Sequence, residues 1–128
     1  MKKGFALAFA LLITVFCSGA WAETEPPAVP EQVIHNAILT LAWEDDGGEY
    51  WTEGHVVLGT GQDGDTVKVY VLAEALNYGF MDGVFTDTGG GFQEPLTLNF
   101  VHTDTGYGLT SILEPDDGDL YEPSLKKM

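Results

Sequence analysis

The apolar positions of this chain change period three times, and each change predicts a different kind of segment. Residues 5–17 form a continuous apolar run broken only by Thr14. Residues 23–29 are polar or small and contain Pro26 and Pro27, the pattern of an extended linker. Beyond Pro30 the apolar residues Val33, Ile34, Ala37, Ile38 and Leu41 recur at spacings of three and four. That spacing predicts an amphipathic helix of about 13 residues. Pro30 suits the start of a helix, where a missing N–H costs nothing. Glu31 places a negative charge at the positive end of the helix dipole. A helix this short is marginal alone, so its apolar stripe must dock on another element.

From residue 52 onward the period falls to two. A strand is predicted over 52–60, around Val56-Val57-Leu58. A longer one follows over 66–76, with Val67, Val69 and Val71 on one face and Lys68, Tyr70 and Leu72 on the other. Asp63-Gly64 between these β-branched runs is a hairpin signal. A short strand over 83–88, a flexible loop at Gly89-Gly90-Gly91 and a strand over 95–102 come next. In the last of these, Leu96, Leu98 and Phe100 alternate with Thr97, Asn99 and Val101. Thr103-Asp104-Thr105-Gly106 turns the chain into a strand over 107–113, which Pro115 stops. Residues 121–128 predict a short helix with Lys126 and Lys127 at its negative end. The expected fold is α+β: one N-terminal amphipathic helix packed on a curved antiparallel sheet of about five strands, closed by a short C-terminal helix. The second sheet face is expected to stay partly solvated.

The segment ahead of this domain has the layout of a secretory signal peptide. Lys2 and Lys3 precede the apolar run, and Ala20-Trp21-Ala22 offers small residues where a signal peptidase reads. The expected organisation is a signal peptide over 1–22 cleaved after Ala22, a linker over 23–29 and one domain over 30–128, secreted or otherwise extracytoplasmic. Two other readings compete. The run falls short of the ~20 residues that span a bilayer, which argues against a retained anchor. Phe16 stands before Cys17 where a lipoprotein signal wants a small residue. Cys17 is the chain's one cysteine, so cleavage leaves neither a disulfide nor a thiol nucleophile.

Charge then narrows the choice of partner. After Ala22 the chain holds 20 carboxylates against three lysines, Lys68, Lys126 and Lys127, a net charge of −17 with histidines neutral. Such a polyanion repels nucleic-acid phosphates and anionic lipid surfaces and favours basic proteins, cationic peptides or divalent cations. Solubility alone is the competing explanation of the acidity.

The run Val67-Lys68-Val69-Tyr70-Val71-Leu72-Ala73, then Tyr78-Gly79-Phe80, Gly83, Phe85 and Leu96-Thr97-Leu98-Asn99-Phe100, together with the closing Glu114-Pro115-Asp116-Asp117-Gly118, Tyr121, Ser124 and Leu125-Lys126-Lys127-Met128, resembles a poorly characterised family of small exported bacterial domains. Such domains also form the extracellular tails of membrane metallopeptidases of the β-lactam-sensor type. The resemblance implies an extracytoplasmic accessory or sensor domain and brings no catalytic residues with it.

Four groups of residues are candidates for chemistry. Asp116, Asp117, Asp119 and Glu122, with Glu114 nearby, place several carboxylates on one turn, the ligand type calcium takes, although the spacing is not that of an EF-hand. A solvated acidic turn is the alternative. Glu53 and His55 lie two apart on a predicted strand, so they share a face and can form a ligand pair or an acid–base pair. His35 and His102 can approach them in the fold, but no HExxH spacing is present and scattered structural histidines are the simpler account. Gly89-Gly90-Gly91 is followed by neither Lys-Ser/Thr nor a helix and is no phosphate loop. Among the aromatics, Trp43, Trp51 and Phe92 are the expected partner-binding residues, Trp43 and Trp51 because they flank the acidic loop. The sequence therefore leads to the expectation of a non-enzymatic exported interaction or sensor domain, without a cofactor, that binds a protein or cationic peptide. A protein that binds calcium or a small ligand through the turn at 114–122 is the alternative.

Overall fold

A computed structural model describes residues 28–45 and 49–128. The expected signal peptide, Cys17 and most of the expected linker lie outside the described residues. The order of elements is α1 (Glu31–Asp45), β1 (Tyr50–Asp63), β2 (Thr66–Met81), β3 (Val84–Thr103), β4 (Gly106–Leu113), a 3-10 turn (Gly118–Leu120) and α2 (Tyr121–Leu125). The strands form one antiparallel sheet in the order β1-β2-β3-β4, a meander in which every strand pairs with its sequence neighbour. No helix among the described residues is long and apolar enough to cross a membrane.

Pro30 begins α1 as its N-cap. Its carbonyl accepts hydrogen bonds from the N–H groups of Val33 (2.9 Å) and Ile34 (3.3 Å). Val29 before the cap and Ile34 four residues into the helix both belong to the core, the two positions of a hydrophobic staple that fixes the entry of the chain. The predicted stripe is the buried one: Ile34, Ala37, Ile38 and Leu41 are buried, with Ala42 beside them. They cover Val67, Val69, Val71 and Ala73 of β2 and Leu96, Leu98 and Phe100 of β3, the inward positions of the two central strands. Each large side chain on this interface contributes roughly 1.5–3 kcal/mol by leaving water. Among the described residues, no helix lies over the opposite sheet face.

Among the described residues the sheet has four strands, not the expected five or so. The residues expected to form a strand over 83–88, a glycine loop and a strand over 95–102 are one 20-residue strand, β3. The glycines do not leave the sheet. They form a bulge in which Leu76 pairs with Gly91 and Tyr78 with Asp87, so one residue of β2 faces three of β3. Buried Asn77 anchors the bulge, since the Thr88 hydroxyl lies 2.9 Å from Asn77 Oδ1 and 3.1 Å from its carbonyl oxygen. The Gly89 N–H donates to Asp87 Oδ1. A two-residue turn, Asp82-Gly83, joins β2 to β3 with φ of 52° and 79°, the doubly left-handed geometry that tight hairpins prefer.

Gly91 is the position where this bulge requires glycine. Its φ is +141°, and a Cβ built there would lie 2.2 Å from the carbonyl oxygen of Ala75. We expect Gly91→Ala to destabilise the domain by about 1–3 kcal/mol through backbone strain. Gly54, which has open space and ordinary φ, should accept alanine with less than half that loss. Parallel urea titrations of the two variants check the difference; equal losses would contradict the bulge geometry.

Candidate functional site

Two groups of side chains stand out from the packed interior. The first lies where the start of α1 crosses β1. Glu53 and His55 both point to the helix side of the sheet, opposite Ala75 and Ala73, whose small side chains leave room beneath the helix. One turn apart on α1, Glu31 and His35 face them. His35 Nδ1 lies 2.5 Å from Glu53 Oε1, and His55 Nδ1 lies 2.9 Å from Glu53 Oε2. One carboxylate thus accepts from both imidazoles. The Glu53 and His55 side chains are each 4% exposed, whereas those of His35 and Glu31 are 38% and 77% exposed. With Gln32 these four residues line an open cleft of about 440 Å³.

His55 Nε2 is 2.9 Å from Glu31 Oε1. The carboxylate sits off the line of a ring N–H, so this buried nitrogen has close ionic company but no aligned hydrogen bond. The expected pairing of Glu53 with His55 is present, and His35 joins it. His102 does not: it is exposed near the end of β3, its ring edge-on to Tyr107 at 5.2 Å. Among the described residues, no three His, Cys, Asp or Glu side chains already converge as a metal site.

The second group lies on the uncovered sheet face, beyond the bulge. There β1 begins beside the far end of the β2–β3 hairpin, and Tyr50 pairs with Tyr78 and Phe80 with Phe85. Tyr78 stacks on Phe85 (5.4 Å, 11°), Phe80 meets Phe85 edge-on (5.3 Å, 60°), and Tyr50 contacts both phenylalanines at 6.2 and 5.7 Å. Such pairs are worth about 0.5–1.5 kcal/mol each beyond the area they bury. The cluster is nevertheless wet: Tyr50, Phe80 and Phe85 remain 50%, 58% and 52% exposed. Asp82 occupies the connecting turn and Asp87 pairs with Tyr78, so two acidic positions adjoin the rings.

None of the expected partner-binding residues belongs to this cluster. Trp43 is half exposed on α1. Trp51 and Phe92 point to the helix side and are partly buried, Phe92 against the core. The expected metal residues Asp116, Asp117, Asp119 and Glu122 are exposed. Glu122 pairs instead with Lys126 (2.8 Å) one helical turn on. The turn is closed by buried Ser124, whose Oγ accepts from the Asp116 N–H and donates to the Tyr121 carbonyl, both at 2.8 Å.

Compared with protein-family models, curated proteins and solved structures, the chain has no significant match to any. The resemblance to exported sensor-type domains therefore stands on its motifs alone.

Proposed function

We propose that this chain is a non-enzymatic, exported binding domain that takes a cationic segment of a protein or peptide partner on the aromatic end of its sheet. The observation that carries this reading is the exposed cluster of Tyr50, Tyr78, Phe80 and Phe85 with Asp82 and Asp87 beside it. A contiguous patch of half-exposed rings is uncommon on a domain that works alone. Ring faces attract lysine and arginine, by about 0.5–1 kcal/mol where water has access and more where it is excluded. The bordering carboxylates add directed charge, and the −17 net charge of residues 23–128 speeds the encounter with a cationic partner. The leader layout supports an encounter outside the cytoplasm.

The test is the affinity of the domain for an arginine-rich peptide, measured by fluorescence anisotropy, before and after the double substitution Phe80→Ser and Phe85→Ser. Both side chains are more than half exposed, so the fold should tolerate the change. We expect affinity to fall at least tenfold when measured well below the melting temperature of the variant, which drops with the loss of the ring pairs. Unchanged affinity in the double variant would refute the assignment of the aromatic end, and failure to bind any cationic peptide would refute the choice of partner.

A further inference from the structure

The aromatic end makes no use of the cleft between α1 and β1, where a different chemistry is concentrated. Glu53 accepts from Nδ1 of both His35 and His55. A carboxylate can only accept, so each imidazole must carry its proton on Nδ1 and, when neutral, present a bare lone pair at Nε2. This is the arrangement in which an outer carboxylate orients a metal-ligating histidine and raises its basicity. Here one buried carboxylate does so for two histidines at once.

The second observation is the environment of His55 Nε2. The side chain is 4% exposed, the nitrogen has no hydrogen bond, and yet Glu31 Oε1 stands 2.9 Å away, off the N–H line. With Nε2 unprotonated, its lone pair repels the carboxylate oxygen, and either a proton or a metal ion lying against both relieves this; the off-line position of Oε1 suits the metal ion better than an N–H. Two ligands held about 2.0–2.1 Å from one zinc ion at near-tetrahedral angles are themselves roughly 3.3 Å apart, only a few tenths of an ångström more than the separation found here. His35 is partly exposed and one helical turn from Glu31, so its free Nε2 can turn toward the same point.

We propose that this cleft binds a late first-row divalent metal ion of the zinc class. His55 Nε2 and Glu31 form a preset ligand pair, His35 supplies a third ligand on binding, and Glu53 acts as the shared outer carboxylate. Water fills the remaining coordination. Imidazole nitrogen selects zinc-class ions over calcium, which prefers a shell of oxygens. The strong negative charge of the domain raises the local concentration of any divalent cation. This site is distinct from the acidic turn at 114–122, which offers no nitrogen ligand.

Zinc chloride titrated into the protein in a calorimeter is expected to bind at one equivalent. Glu31→Gln should weaken that binding at least tenfold; Glu31 is exposed, so its loss leaves the fold intact. His55→Gln should abolish it, whereas His102→Gln and Asp116→Asn with Asp117→Asn should leave it unchanged. Calcium chloride should not compete. As a separate readout, ¹⁵N correlation spectra of the histidine rings should show zinc moving the Nε2 signals of His55 and His35 and not those of His102. Absence of zinc binding would overturn the proposal. So would undiminished binding in Glu31→Gln, binding lost through the Asp116/Asp117 pair, or unmoved His55 Nε2.

Discussion

Phe100→Ala is expected to cost the domain about 3–5 kcal/mol, the largest loss of any single truncation in its core. Phe100 is fully buried and is the largest such side chain, on β3 opposite Val67 and edge-on to Tyr107 at 6.5 Å. It lies under α1, so neither the sheet nor the helix can collapse into the vacated space without giving up other contacts. For a domain of this length such a loss lowers the melting temperature by some tens of degrees at about 4–8 °C per kcal/mol. Phe100→Leu, which keeps most of the volume, should lose less than half as much. Urea unfolding of the two variants with an unchanged slope checks the prediction. A loss below about 1 kcal/mol for alanine would mean that α1 does not seal the sheet as described.

Glu53→Ala is expected to cost about 3 kcal/mol, a large effect for a charged residue and one that does not come from packing. Removing the carboxylate leaves two ring N–H groups without their acceptor. His35 is exposed enough to recover a partner from water, but His55 is not, so the loss concentrates on His55 Nδ1. Glu53→Gln separates this account from a purely steric one. The amide keeps one acceptor oxygen, and His55 can switch tautomer to accept from its NH₂, so glutamine should cost about 1 kcal/mol, the size of one ordinary hydrogen bond. Chemical denaturation of both variants is the check. Equal losses for alanine and glutamine would show that the negative charge, rather than the acceptor oxygens, holds the cluster together.

These two residues also show what could be read from the sequence. The inward alternation of Leu96, Leu98 and Phe100 was plain in the period of two, as was the stripe from Val33 to Leu41 in the period of three and four. Both signals are local, and the structure buries Leu96, Leu98, Phe100 and the centre of that stripe. The count of strands was not legible because Gly89-Gly90-Gly91 has the composition of a loop. Only the ladder with β2, with Asn77 holding the far side, keeps those glycines in the sheet. The Asp82-Gly83 pair between Met81 and Val84 was the available sign that β2 and β3 meet there in a tight hairpin.

The site divides in the same way. Glu53 and His55 share a face by spacing alone, so their pairing was visible. Glu31 showed only its helix-dipole role, because its approach to His55 depends on how α1 crosses β1. The aromatic residues were recognisable as a set. Which of them cluster depends on pairing: the two-residue turn at Asp82-Gly83 puts Phe85 opposite Phe80, and the β1–β2 register puts Tyr50 opposite Tyr78. Trp43, Trp51 and Phe92, the more conspicuous rings in the sequence, lie on the helix or on the helix side of the sheet instead.

The proposed occupant of the aromatic end of the open sheet face is a cationic partner. Backbone amide shifts of the ¹⁵N-labelled domain, followed while an arginine-rich peptide is added at low and at physiological salt, test it most directly. The account predicts perturbations centred on Tyr50, Tyr78, Phe80, Phe85 and Asp87, larger at low salt and still confined to that end when salt is raised. Shifts centred on residues 114–122, or spread evenly over every acidic surface and abolished by salt, would contradict it.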